Sequence, residues 1–341
     1  GTLNLGSAAV NVTGQAYVYS GVTATGITPG ALPASGDTGN LSMGNVTIAD
    51  DGFLSIRMEA DAEAGGTPSL PLGNVQGTAG GGASKLMVSA NGAVTIGSVG
   101  TDISLLSVAN AGNQTFTGAL GSSTDRIGSI ALRSVLGTID VQDNLYAGKL
   151  QVDGSSSADL YGSVTDVSGA TSFGTTGTVN LANATSDTLT FTGGLTHVAG
   201  PTTLSANLTT DGAVNFAGLT VNETVIIDSG SQATSSIRAG SIVLAQDKNL
   251  TIGTSSGANA TTAAVEFNSV TANTPSSGIT SDLTINTTGT VTVVNNVGGV
   301  SNGNIDAFTI NRANNISIGG NIAANTVDIT DFSGSSIAIA G

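Results

Sequence analysis

Leu283-Thr-Ile285, a gap of five residues, then Val291-Thr-Val293: this stretch decides the fold, because Phe308-Thr-Ile310 and Ile316-Ser-Ile318 repeat it, gap included, 25 residues later. Ile242-Val-Leu244 and Leu250-Thr-Ile252 keep the same gap and are assigned to the same frame. Each half is an apolar–x–apolar triplet, which as a β-strand turns two side chains to one face and one to the other. A fixed gap between paired triplets is a repeat signal, beyond what composition alone produces.

Working outward, the triplet recurs along the chain behind a glycine. Examples are Gly44-Asn-Val-Thr-Ile48, Gly52-Phe-Leu-Ser-Ile56, Gly92-Ala-Val-Thr-Ile96, Gly128-Ser-Ile-Ala-Leu132, Gly148-Lys-Leu-Gln-Val152, Gly212-Ala-Val-Asn-Phe216 and Gly289-Thr-Val-Thr-Val293. Each reads as a turn residue followed by a very short strand. No stretch has the 3.6-residue periodicity of an amphipathic helix. In a parallel solenoid such strands stack on their equivalents about 4.8 Å away, with glycine at the corners and small branched side chains filling the core.

The fold expected is therefore all-β: a right-handed parallel β-helix (β-solenoid) over residues 85–341, preceded by an irregular β-rich segment with insertions over 1–84. That first segment holds four of the six prolines and the run Gly80-Gly-Gly82. At about 25 residues per coil, the solenoid would have about ten coils and be roughly 50 Å long. The alternative is a set of tandem antiparallel β-sandwich domains, for which Asp51-Gly52, Asn91-Gly92 and Asp211-Gly212 are good hairpin dipeptides. A transmembrane β-barrel needs longer strands and two aromatic girdles, and the scattered aromatics do not supply them.

Composition excludes several functions. Charged residues are 9% of the 341, glycines number 49, aromatics are 4%, and tryptophan and cysteine are absent. The net charge of −15, with eight basic residues set singly, repels nucleic acid. Without cysteine there are no disulfides or thiolate metal sites. Mean hydropathy of +0.24 is that of a folded chain. No run of apolar residues is long enough for a transmembrane helix. The chain starts at Gly1 with no signal peptide, so it reads as a processed or excised piece of something longer.

The phrases Gly128–Val152 and Phe191-Thr-Gly-Gly-Leu195 through Thr203-Leu-Ser-Ala-Asn207 to Asp211-Gly-Ala-Val-Asn-Phe216 resemble the β-strand-repeat passengers of large bacterial exoproteins. These are the filamentous-haemagglutinin-like and autotransporter adhesins; Gly/Thr/Asn-rich text of this kind also resembles surface-layer proteins. The resemblance implies export to the bacterial cell surface and a structural, non-enzymatic role as a rod, filament or lattice. The partners expected are further copies of the chain, end to end or in a lattice, and host or cell-surface glycans.

Little competes with that role. The one histidine, His197 in Leu195-Thr-His-Val-Ala199, is expected at a strand end or turn. The alternative function is a carbohydrate-active β-helix lyase or depolymerase, with carboxylates such as Asp159 and Asp166, or Asp328 and Asp331, brought together from different coils. A calcium-dependent surface-layer lattice of sandwich domains is the third reading. Its candidate Ca2+ ligands are Asp50, Asp51, Asp61 and Glu63, hard oxygen donors in loop-like text that matches no calcium-binding motif. Eleven Asn-x-Ser/Thr sequons are present, close to the number this composition gives by chance. Thr-x-Thr at 188–190 and 290–292 raises an ice-binding ladder, but the motif does not continue in the sequence at coil spacing.

Overall fold

The computed structural model describes residues 3–4, 10–12, 15–20, 41–58, 69–78, 83–230, 235–253, 263–273, 280–299, 303–330 and 336–340, with side chains from Ser42 onward. All regular structure among them is β-strand. Among the described residues no helix is long and apolar enough to cross a membrane. The chain forms two compact units, Gly1–Val167 with Gly174–Thr176, and Ser168–Phe173 with Gly177–Gly341.

In the first unit the chain coils around three faces. One face stacks Phe53–Met58, Ser84–Ala90, Ile103–Asn110, Ser129–Ser134 and Leu150–Gly154, each parallel to the next. A second stacks Ser69–Leu72, Ala93–Ile96, Gln114–Phe116, Ile139–Val141 and Ala158–Leu160. The third runs from Val46–Ile48 and Val75–Gly77 through bridges at Val99 and Leu120 to Leu145–Ala147 and Val164–Val167. The described strands before residue 85 thus pair in the same manner as those after it. Leu54, Leu86, Leu106, Ile130 and Leu150 follow one another in register, all inward and fully buried.

The second unit uses the same three-sided coil. Two faces are carried on long strands bent around a corner: Leu195–Leu204, Val214–Val221, Ser236–Leu244 and Ala264–Ala272. The third face stacks Thr188–Phe191, Asn207–Thr209, Val225–Asp228, Leu250–Ile252, Leu283–Asn286, Ile305–Arg312 and Ala324–Ile329. Along it Leu189, Leu208, Ile227, Ile252, Ile285 and Ile310 form one continuous aliphatic column. Coil length is uneven: Val214 stacks on Leu195, 19 residues earlier, while Val265 stacks on Ile237, 28 residues earlier.

Each unit is therefore a parallel β-solenoid, and the tandem antiparallel sandwich is overturned, because every described strand pair is parallel. The hairpin dipeptides are corners instead. Asp51-Gly52 turns the chain from Val46–Ile48 into Phe53–Met58, with Asp51 at φ 58, and neither flanking strand pairs with the other. An αL residue followed by glycine bends the backbone sharply, and its sequence alone does not say whether the strands after the bend pair or stack.

Coil stacking explains the opening glycine of several phrases, Gly128, Gly148 and Gly212 among them, whose Cβ would meet the backbone of a neighbouring coil, whereas a Cβ on Gly52 would meet its own turn at Ala49. A Cβ on Gly148 would lie 2.5 Å from the carbonyl oxygen of Gly128, the equivalent glycine one coil earlier. Only hydrogen fits between such corners at solenoid spacing. The core is built from small branched residues, as the composition implies, but it also holds buried rings the composition did not suggest. Six of the eight phenylalanines (Phe116, Phe173, Phe191, Phe216, Phe267 and Phe308) rank among the largest fully buried side chains, and three of them, Phe173, Phe216 and Phe267, share one inward column.

The 283 and 308 frames match as read: Leu283 pairs with Phe308 and Val291 with Ile316. The 242 frame is shifted by one face, because Leu250-Thr-Ile252 pairs with Leu283-Thr-Ile285 and Ile242 pairs with Val270.

Candidate functional site

The polar chemistry of this chain is concentrated at the coil corners. The residue just before an inward strand is repeatedly asparagine, and its Oδ1 accepts a hydrogen bond from a backbone N–H one coil on. Asn45 accepts from Asn74 N at 3.1 Å, Asn74 from Ser98 N at 3.0 Å and Asn113 from Thr138 N at 3.0 Å. Asn144 accepts from Val164 N, Asn207 from Ile226 N and Asn296 from Asn321 N, all between 2.8 and 2.9 Å. Asn249 accepts from Asp282 N at 2.9 Å, and Asp282 in turn accepts from Ala307 N at 3.0 Å. Corner N–H groups have left the strand ladder, and a side-chain oxygen one coil away satisfies them.

This ladder also accounts for part of the sequon count. Asn45, Asn113, Asn207 and Asn249 are each followed by an inward residue and then an outward threonine, so solenoid geometry itself writes Asn-x-Thr. Hydroxyls do a parallel task for carbonyls. Ser104 donates to Ser84 O at 3.1 Å, Ser156 to Ser134 O at 3.0 Å and Thr210 to Phe191 O at 2.6 Å. Asp282 holds an asparagine position with a carboxylate. Burial raises its pKa above the usual carboxylate value and the nearby Asp306 raises it further, while the N–H of Ala307 pulls it down.

The acids singled out in the sequence do not form a common site among the described residues. Asp51 Oδ1 accepts from Ala83 N at 3.1 Å, and Asp50 N donates to Thr78 Oγ1 at 2.7 Å, so both lie at a corner of one coil. Asp61 and Glu63, the other two candidate calcium ligands, lie outside the described residues, as does Asp331. Asp159 lies in register with Asp140 on the outer side of the second face. Asp166 is on the third face, where Arg126 clasps it: Nη2 lies 2.5 Å from Asp166 Oδ2, and Nη1 donates to the Asp166 carbonyl at 2.9 Å. To reach it the guanidinium passes over the ring of Tyr146, 6.0 Å from its centroid, and Tyr146 pairs with Asp166 in register. This cluster ties successive coils together. Among the described residues no three His, Asp or Glu side chains converge as metal ligands would.

His197 is placed differently from the sequence reading. It lies within the strand Leu195–Leu204, points inward and is 0% exposed. Alternation puts it inside: Leu195 and His197 share the buried face, and its neighbour Val198 is 56% exposed. Its Nδ1 lies 2.8 Å from Thr202 Oγ1, and its ring meets that of Phe173 edge-on at 5.9 Å. A group so enclosed has no contact with solvent-borne substrate. The Thr-x-Thr segments are not continued as double files: Thr188 neighbours Asn207, and Thr292 neighbours Ser317. Thr251, Thr284 and Thr309 do form a single outward file; the 25-residue repeat already aligned Thr284 with Thr309, while Thr251 was missed because its frame was read one face away.

A shallow depression of about 270 Å3 lies where Ala239 takes the place of a ring between Phe216 and Phe267. Its rim carries Asn215, Asn268 and the exposed pair Arg238–Glu266, 3.3 Å apart.

The architecture defines the class: a parallel β-solenoid with an asparagine-capped corner. No protein-family model, curated protein or solved structure matches the chain.

Proposed function

We propose that this chain is a structural, non-enzymatic segment of a bacterial cell-surface protein, a rod- or filament-forming β-solenoid of an adhesin, surface fibre or surface layer. The observation that carries this reading is the parallel stacking of coil on coil in each unit, exemplified by the aliphatic column from Leu189 to Ile310. Such stacking gives reach and rigidity while presenting outward rows of short polar side chains, among them Thr251, Thr284 and Thr309. The polar clusters described above are spent on holding coils together, which also favours a mechanical role over a catalytic one.

Assembly follows from the same geometry. The strand Ile337–Ile339 pairs with Asn315–Ile318 on one side, and its Ile337 and Ile339 are about half exposed, as is Val327 on the neighbouring face. These residues continue columns that are buried on earlier coils. A strand edge of this kind can take up a further strand, and the occupant we propose is a further copy of this chain, stacked end to end. Electron microscopy of the native assembly and of the purified chain tests the proposal. Rods, filaments or sheets are expected; dispersed globular particles in both preparations would overturn it.

A further inference from the structure

Phe173, His197 and Phe216 occupy successive levels of one inward column, and the same column continues through Ala239 and Phe267. The only histidine of the chain thus fills a position that its neighbours give to a phenyl ring. Thr202, its hydrogen-bond partner, is also fully buried and stands in the next inward column, between Val179 and Leu219. A neutral imidazole suits this place: one face and edge pack as an aromatic ring, and one nitrogen finds a hydroxyl.

We propose that His197 makes its coil acid-labile: the core accommodates the neutral ring and opens when acid drives the imidazole to its charged form. The strands packed against it are Thr171–Phe173 and Val179–Leu181 on one side and Val214–Val221 on the other, with Thr188–Phe191 and Asn207–Thr209 across the core. Their inward side chains are apolar or hydroxyl-bearing. The carboxylates nearest in the chain to these strands are in turns. Asp187 Oδ2 accepts from the N–H groups of Asn183 and Ala184, Asp211 lies at the corner before Val214–Val221, and Glu223, just after that strand, is paired with Lys248 at 2.7 Å. Placing an imidazolium among rings and methyl groups carries a large desolvation cost.

The sign follows by linkage. The unfolded chain takes up the proton as pH falls through about 6.5, and a folded core that excludes it then loses stability, so the loss appears on the acid side and is absent at neutral pH. If the core excludes the proton fully, the folding equilibrium falls roughly 30-fold between pH 7.5 and pH 5 on this account.

Two measurements on the full chain test it. The ring signals of the single histidine, followed by NMR, are expected to stay those of neutral imidazole in the folded protein down to pH 5. Urea unfolding at pH 7.5 and pH 5 is expected to show an acid-side loss in the parent that is absent from His197→Phe, which completes the ring column, and from His197→Gln, which keeps a neutral hydrogen-bonding group. A ring that titrates like free imidazole in the folded protein overturns the proposal, as does an equal acid-side loss in parent and variants. The NMR measurement needs no variant, so the test stands even where a substitution prevents folding.

Discussion

Asn249→Ala tests the corner ladder most directly. Asn249 sits before the inward Leu250, and its Oδ1 accepts from the backbone N–H of Asp282 across a sequence separation of 33 residues. Alanine leaves that partly buried N–H without its acceptor. A net hydrogen bond contributes about 1 kcal/mol, and a stranded donor adds a desolvation cost, so the local opening equilibrium should rise about tenfold. Amide hydrogen exchange at Asp282 reads this opening without assuming that a stacked array unfolds in one step. Asn249→Asp is the informative companion, since it keeps an acceptor oxygen at the same atom, as Asp282 itself does towards Ala307 N. The aspartate variant should keep most of the protection and the alanine variant should lose it. Equal loss in both, or a loss in alanine no larger than that of the outward-facing Ser172→Ala, would refute a hydrogen-bonded ladder as the element that holds these corners.

Three further outcomes are expected. Asp282→Asn should be neutral or slightly stabilising at pH 7, because the folded state raises this carboxyl's pKa above its ordinary value. The folded chain then binds the proton more readily than the unfolded one, so the stability gain is full below the ordinary carboxylate pKa and fades as pH rises through the raised one; the Asp282→Asn variant should flatten that part of the pH–stability profile. Gly148→Ala should destabilise by about 1–3 kcal/mol, since its Cβ would press on the Gly128 carbonyl. Gly218→Ala, whose Cβ would meet nothing nearer than 3.8 Å, should be neutral or mildly stabilising, and paired urea titrations separate the two. Arg126→Ala should cost roughly 0.5–1 kcal/mol and make the chain's stability less sensitive to added salt, because the Arg126–Asp166 pair is partly exposed.

How much of this was legible in advance depends on the kind of signal. Alternation in Leu283-Thr-Ile285 and Phe308-Thr-Ile310 is local, and both the strands and their mutual register follow from it as read. The 242 frame went one face astray because all three faces are written in the same apolar–x–apolar text. Only the closure of the coil assigns Ile242 to one face and Leu250 to the next. Asp51-Gly52 likewise announces a bend, while stacking against another coil, which lies far off in sequence, turns that bend into a corner.

By itself, then, the sequence determined short strands, glycine corners, an all-β core, the lack of any cluster of basic residues along the chain and the absence of cysteine, since each rests on residue type and near-neighbour spacing. Tertiary structure alone decided which oxygen caps which N–H, which rings share a column, and that His197 lies inside that column. Those partners sit one coil apart, at offsets that vary with every insertion, so no fixed period in the chain could have marked them.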